Sequence, residues 1–472
     1  MRREIRAEYD QMHLLPPALE DWVGEDHPAR FIREFVEGLD LVGMGFGERR
    51  GEEGRPNYSA GLLLKVWLYG YMWGIWSTRK LERGCREMMG LIWLTGMQVP
   101  DHNTLWRFWR ENREALRKVF RAGVLVAARG GMTGVACHGV DGTKIEARAG
   151  KRGVWERGDL ERALGEIEAS LDEMEREVEE VEEREEGDYR LPERLREGEG
   201  VRGMIREALK EIEEAGREHI HPGEIEARMM KCDGKIELAY NAQVVVDEKS
   251  GLIVAEEVVN EENDSHLLVA MLKQVEGNLG RTAEETLADG GYKSGEELTR
   301  AQQEGYSVLV NLGEEGKGRD DEGRFHTSQF VYDEQSDCCI CPEGGKLDFE
   351  RSKPSRNGRH QLGVYRCRGF RQCRFRLQCS RDRQGRTIEI GPYHAAVEQQ
   401  RQKQKIPEKR ELLKRRQAIV ERVFAWAKHG LGFRRFSVAG LENVRTQWSL
   451  ICTALNLRRL HQWWLSREPL PA

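Results

Sequence analysis

Two short stretches constrain this chain most strongly: Gly139–Ala147, GVDGTKIEA, and Glu285–Tyr292, ETLADGGY. Each runs a few residues of β-character into an aspartate followed by glycine, Asp141–Gly142 and Asp289–Gly290. Short apolar runs that meet Asp-Gly predict strands whose ends present an acid at a sheet rim. One such acid is most simply a turn former, because Asp bonds its own backbone two residues on. Two copies, far apart in the chain, suggest one sheet and a shared site.

The third piece is Arg415–Phe436, RRQAIVERVFAWAKHGLGFRRF. Ile419, Val423, Phe424 and Ala427 recur at helical spacing, so the stretch predicts an amphipathic helix that carries Glu421 and is stopped by Gly430 and Gly432. At about 100° per residue, Gln417, Glu421, Phe424 and Lys428 fall along one stripe. A divalent cation that must also bind phosphate oxygens needs a few hard carboxylates and open coordination positions. Two sheet-rim aspartates and one helical glutamate supply them.

At these residues the chain resembles the DDE transposases of bacterial insertion sequences, the branch with an RNase H-like core. VDGTKIEA is similar to the first-Asp motif, LADGGYKS to the second and IVERVFAWAKHGLGFRRF to the Glu motif. The resemblance runs from roughly Leu15 to Leu460 and is weakest in the acidic stretch after Asp141. It implies that Asp141, Asp289 and Glu421 are catalytic and hold two Mg²⁺ ions about 4 Å apart, with Mn²⁺ able to substitute. It also implies DNA partners, the element's terminal inverted repeats and the target, and a homodimer in a synaptic complex. The family signature places Tyr and Arg ahead of the Glu and Lys; here those positions are Lys414 and Gln417, while Glu421 and Lys428 are in place. Lys428 is thereby assigned to a phosphate near the cut, Lys144 is a second candidate, and Arg415 and Arg416 stand in for the missing Arg.

Charge agrees with a DNA partner only when taken region by region. The net charge is -6, yet residues 351–472 carry 28 Lys and Arg against 8 Asp and Glu, whereas residues 151–230 carry 14 against 26. A strongly basic C-terminal region is hidden inside an unremarkable total, and local patches decide DNA contact. No apolar run is long enough to span a membrane and the N-terminus, MRREIRAEYDQ, lacks a signal peptide's apolar segment. The expectation is a cytoplasmic, nucleoid-associated protein.

In order, residues 1–132 predict a helical N-terminal DNA-binding domain. Pro28–Leu41, Ser59–Tyr71 and Ser77–Met88 read as helices, and after a short apolar linker Asn103 or Thr104 caps another that carries Arg107, Arg110 and Arg113. Two tightly joined helices, the second rich in Arg, fit a helix-turn-helix reader, with Arg107 and Arg110 facing DNA. Residues 133–150 hold the first core strand and 151–230 an acidic helical or coiled-coil insertion. There Leu164, Ile167, Leu171, Met174, Val178 and Val181 recur every three or four residues, Gly187–Gly200 with Pro192 breaks the pattern, and Val201–Gly216 resumes a helix.

The core continues over 231–320. Lys235–Val246 and Leu252–Val259 form a hairpin turning at Gly251, and Asp264–Gly280 a helix capped by Asp264 or Ser265. A strand ending at Asp289, a helix over Gly295–Gly305 and a strand over Ser307–Leu312 follow. The fold class is α/β, in a multidomain α+β arrangement: an RNase H-like mixed sheet with helices on both faces, interrupted by the acidic insertion and by a small Cys-rich insertion at 321–392. Residues 393–472 are C-terminal helices that complete the core, with Trp463 and Trp464 closing it.

Cys85, Cys137, Cys232 and Cys452 lie singly in apolar settings and read as small core residues, whereas Cys338, Cys339, Cys341, Cys367, Cys373 and Cys379 cluster. Inside a cell such a cluster suits zinc better than disulfides, with Cys341, Cys367, Cys373 and Cys379 as the tetrahedral set. The spacing is not a clean pair of CxxC motifs, and a metal-free insert stays open. Interleaved Arg366, Arg368, Arg371, Arg374 and Arg376, with Tyr365, Phe370 and Phe375, make the insert a candidate DNA clamp in which rings stack on bases. Two other readings of the whole chain stay open: a structure-directed nuclease that never joins strands, and a non-catalytic DNA-binding protein derived from a transposase.

Overall fold

The computed structural model describes residues 18–47, 57–182, 193–313, 324–356 and 358–466. It begins with α1 (Pro28–Glu37), α2 (Leu41–Met44), α3 (Ala60–Met72), α4 (Thr78–Glu87), α5 (Met89–Thr95), α6 (His102–Glu111) and α7 (Arg113–Arg129). Ser59 caps α3 by accepting the Leu62 N–H. At α6 the cap is Asp101, which accepts the Thr104 N–H, so Asn103 and Thr104 lie inside the helix. The stretch expected to be an apolar linker is α5, with Leu91, Trp93 and Leu94 buried. A short helix that is apolar on all sides has no periodicity to betray it.

The chain then lays down β1 (Cys137–Glu146) and leaves for the insertion: β2 (Trp155–Glu156), α8 (Arg157–Glu182), α9 (Glu193–Ala215) and β3 (His219–Ile220). The two helices form the expected hairpin, with Leu160, Ile205, Ala208 and Ile212 in its core. Residues 193–200 sit within α9 rather than in a break, while 187–192, including Pro192, and the side chains of Val178 and Val181 lie outside the described residues. Next come β4 (Arg228–Cys232), β5 (Lys235–Asp247), β6 (Ile253–Val259), α10 (Leu268–Leu279), β7 (Glu285–Ala288), α11 (Gly295–Gln303) and β8 (Val308–Val310).

These strands make one mixed sheet in the order β4-β5-β1-β7-β8, with β4 and β6 on different halves of the same edge of β5. β1 is antiparallel to β5 and parallel to β7, and β7 is parallel to β8. Leaving out the insertion, the five core strands stand in space as third, second, first, fourth, fifth. This is the RNase H-like arrangement, with β1 at the centre.

The second insertion is a separate small sheet of β9 (Val331–Asp333), β10 (Cys338–Ile340), β11 (Lys346–Pro354), β12 (Gln361–Cys367) and β13 (Thr387–Ile390), in the order β13-β12-β11-β10-β9, with a short α12 (Arg376–Cys379). Three helices end the chain: α13 (His394–Lys405), α14 (Pro407–Ala425) and α15 (Leu441–Leu465). Polar residues of α13 close the free edge of β8, because Gln400 takes the Val310 N–H at 3.1 Å and gives to the Val308 carbonyl at 3.0 Å. An edge strand without such a partner would invite pairing with another chain. α15 does the same for β6: the Asn456 amide takes the Ile253 N–H and gives to its carbonyl. Val66, Trp67, Val119 and Val124 of the N-terminal helices share one continuous core with Val244, Leu450 and Ile451. Trp463 packs at its margin, but Trp464 is 46% exposed and closes nothing.

Candidate active site

Asp141 stands in the middle of β1, whereas the Asp-Gly pair had predicted a strand end. Gly142 has a different reason to be glycine. Its cross-strand neighbour Gln243 passes over it, and a Cβ at 142 would lie 2.1 Å from Gln243 Nε2. The strand that ends is the neighbour. β7 stops at Ala288 while β1 runs on, and the parallel register that pairs Gly139 with Leu287 carries Asp289 alongside Asp141. The predicted pair of acids is therefore brought together at the centre of the sheet.

Burial holds the Asp141 carboxyl above its ordinary range; the Arg416 guanidinium pulls it back and the charge of Asp289 pushes it further up. Arg416 Nη1 donates to Asp141 Oδ2 at 2.8 Å, and the Gly142 N–H donates to Oδ1 at 2.9 Å. Asp289 heads the tight turn Gly290–Tyr292, its Oδ1 accepting the Gly291 N–H at 2.8 Å. A cation of the protein thus already sits on one of the two acids.

α14 brings that guanidinium in because residue 139 lacks a side chain. A Cβ there would stand 3.1 Å from Val420 and 3.2 Å from Ile419, so glycine lets the helix lie close on β1. Glu421, next in line, is on the exposed side of α14 and accepts from Gln417 Nε2. Among the described residues no three His, Cys, Asp or Glu side chains gather closely enough to hold an ion. Past Ala425 the helix widens into a π-type turn, Trp426–Gly430. Lys428, predicted to share a stripe with Glu421, instead donates to Asp233 at 3.2 Å at the tip of the β4–β5 hairpin. Arg415 pairs with Glu248 at 3.6 Å.

Lys144 does reach the site, through a residue that sequence reasoning assigned elsewhere. Asp264 was predicted to cap a helix, but the N-cap of α10 is Leu267 and Ser265 gives no cap bond either. The Asp264 carboxylate turns to the sheet, where Oδ1 accepts from Asn241 Nδ2 at 2.6 Å, Gln243 Nε2 at 2.7 Å and Lys144 Nζ at 3.3 Å. Gln243 Oε1 in turn accepts the hydroxyl of fully buried Tyr292. The one local signal was a buried-looking strand, AYNAQVVV, that carries two amides and so needs partners for them. His266 and Ser294, two residues beyond Asp264 and Tyr292, line a cleft of about 420 Å³ together with Arg359, His360, His394 and Arg401.

In the small sheet Cys341 and Cys367 lie at strand ends and Cys339 and Cys379 are buried. Burial pushes the Cys379 thiol up to about 11, with Cys367, Cys341 and Cys373 adding to the shift, so the four predicted ligands lie within electrostatic reach of one another. The Gly345 N–H points at Cys341 Sγ, 3.1 Å away. Tyr365 and Phe370 are buried in the core of this sheet and Phe375 packs against it, so these rings are not free to stack on bases. Arg366 pairs with Glu350, whereas Arg371 and Arg376 are exposed. On α6, Arg107 and Arg110 are exposed beside Trp106.

The class that the fold defines is an RNase H-like sheet with one acid on its first core strand and a second just past the end of its fourth. Comparison with known families narrows it: residues 340–461 match the transposase DDE domain and residues 17–111 the Transposase domain (DUF772). Both matches are to transposase domains, in agreement with the resemblance to insertion-sequence DDE transposases. The first match contains Glu421 and the four cysteines, while Asp141 and Asp289 lie outside both. No curated protein matches the chain. Among the described residues no helix is long and apolar enough to cross a membrane.

Proposed function

We propose that the chain cuts DNA at the ends of an insertion sequence and joins the freed 3′-hydroxyls to target DNA in a divalent-cation-dependent reaction at Asp141, Asp289 and Glu421. The observation that carries this reading is the adjacency of Asp141 and Asp289, produced by the sheet register. Two carboxylates, one of them already bonded to a guanidinium, are a donor set that accepts positive charge. They suit Mg²⁺ or Mn²⁺, which favour oxygen ligands, once Arg416 moves aside. When bound, such ions supply Lewis acidity and an activated water.

The chain's own residues do the rest. Arg416, released from Asp141, is placed to hold a phosphate oxygen, and Lys144 stands on the other side of the site for the same duty. Glu421, on the helix that lies over Asp141, completes the ligand set when α14 adjusts to bound DNA and ion. The basic cleft at Arg359 and Arg401 and the exposed arginines of the insert offer a path for the flanking strand, and Arg107 and Arg110 a contact to the element's end. Two copies of the chain bring two ends together. Cys341, Cys367, Cys373 and Cys379 would hold a structural zinc; the sulfurs would have to draw together to do so.

The test is end cleavage with Asp289→Asn, which keeps size and removes ligand charge. Cleavage is expected to vanish while binding of the end stays nearly intact; parallel loss of both would count against the reading. Supplying pre-cut ends then separates a transposase from a nuclease, since only the former joins them to a second duplex.

A further inference from the structure

We infer that Asp264 is a positioning residue for Asp289, setting the geometry and the charge of the acid pair from behind. The inference rests on the reading of Asp141 and Asp289 as a cation-holding pair. Its support is the way a single carboxylate ties together β1, β5 and the turn after β7. Through Oδ1 it holds Lys144 of β1 and both Asn241 and Gln243 of β5. Gln243 passes the connection on to the Tyr292 hydroxyl, and Tyr292 is the last residue of the turn that Asp289 heads.

The other oxygen of Asp264 faces the same turn. A Cβ on Gly291 would stand 2.9 Å from Asp289 Oδ1 and 3.2 Å from Asp264 Oδ2, so residue 291 is wedged between the two carboxylates. Burial, and then the charges of Asp264, Asp141 and Asp289, hold the Tyr292 phenol well above its ordinary range, so it remains a donor to Gln243 at any working pH. Asn241 and Gln243 are wholly buried, and their amides would be costly without this acceptor. The network has two consequences for the acids. It fixes where β7 hands over to its turn, and it holds the Lys144 ammonium on Asp264 rather than on Asp141 or Asp289. Both favour a bound cation, and groups that orient ligands in this way typically contribute 10–100-fold in metal affinity.

A merely structural network would stiffen the fold without altering affinity for an ion, and that difference can be measured. Mn²⁺ binding to the full-length protein, without DNA, is followed by the loss of the free-ion signal in electron paramagnetic resonance. End cleavage at saturating Mn²⁺ and the melting temperature are recorded alongside for wild type, Asp264→Asn, Tyr292→Phe and Asp289→Asn. We expect Asp264→Asn to weaken Mn²⁺ binding by about 10–100-fold, with the cleavage rate at saturating ion much less affected. Tyr292→Phe, which cuts the network at its far end and keeps the ring, should shift binding the same way by less. Wild-type Mn²⁺ affinity in Asp264→Asn, at whatever melting temperature, would overturn the inference. If Asp264→Asn does not fold, unchanged affinity in Tyr292→Phe overturns it instead. Loss of cleavage in Asp289→Asn with no effect in the other two removes Asp264 alone; normal cleavage in Asp289→Asn removes the acid pair itself.

Discussion

The two sheets of this protein hold their reactive side chains in opposite ways. In the large sheet, Asp141 and Asp289 are neighbours because a strand register makes them so, and that register rests on a core that extends from α3 and α7 through β5 to α15. In the small sheet, nine buried residues form the core, Cys339 and Cys379 among them, and Cys341 and Cys367 pack against it. The first site is a product of its fold. The second is placed in a small unit, of a size at which a metal commonly supplements apolar burial. An ion bound at the large sheet would serve chemistry, and an ion bound at the small one would serve folding.

The largest effect should come from Asp141→Asn, where chemistry and stability are expected to part. End cleavage should fall by at least about 10²–10³-fold. The melting temperature should hold or rise, because burial raises the folded carboxyl's pKa and its charged form is the costly one. A raised folded pKa means that the stabilising contribution is present below the unfolded pKa and is lost as pH climbs through the folded one. The gain in the variant should therefore grow with pH. Thermal melts from pH 4 to 8 check this, and a variant that unfolds outright would show that the large sheet depends on its acid after all.

Next in size is the removal of zinc. Metal analysis of the purified full chain should find one zinc, and none in Cys379→Ser. A chelator should melt the small sheet while leaving the transition of the large one in place. The magnitude decides the direction: zinc binding to structural thiolate sites contributes about 10–16 kcal/mol, more than the whole stability of many domains. A zinc-free protein whose small sheet is fully protected from hydrogen exchange would break the comparison.

What the sequence showed of these two sites differs for the same physical reason. The cysteines announced themselves by clustering, and Asp141 and Asp289 by repeating one local pattern of strand, acid and glycine. That Asp141 lies mid-strand was hidden, because Gly142 is glycine for Gln243's sake and a neighbour across the sheet leaves no mark beside it. Asp264 was hidden by a better local explanation, since Asn-Asp-Ser ahead of an apolar run has the composition of a helix cap. The RNase H-like strand order was legible from the alternation of strands and helices. The sharing of one core between the N-terminal helices and α15 was not, because those contacts join residues hundreds of positions apart.

A smaller effect tests how far the large sheet tolerates buried acids in general. Glu256 on β6 is buried and far from the pair in the chain, and burial, with Glu257 beside it, pushes its carboxyl up to about 8. Its contribution to stability is full below the unfolded value near 4.5 and is lost as pH rises through about 8. Glu256→Gln should melt a few degrees above wild type at pH 8.5, and the gap should close by pH 5. A gap independent of pH would mean that packing, not protonation, sets it.

The smallest effect concerns Lys428, which the family signature assigns to DNA and the free protein commits to Asp233. The partner Asp233 is largely exposed, so the pair contributes at most about 1 kcal/mol, and Lys428→Ala should barely move the melting temperature. Binding to an element end is the sharper readout. Each phosphate contact adds roughly 0.9 to the slope of log affinity against log salt. If Lys428 swings from Asp233 to a phosphate, the alanine variant loses about one such contact and Asp233→Asn, which frees the lysine, binds the end slightly more tightly than wild type at low salt. Unchanged slopes in both would leave Lys428 as the latch of the β4–β5 hairpin. The phosphate-holding duty would then fall to Arg416 and Lys144, the cations that α14 and β1 bring to the site.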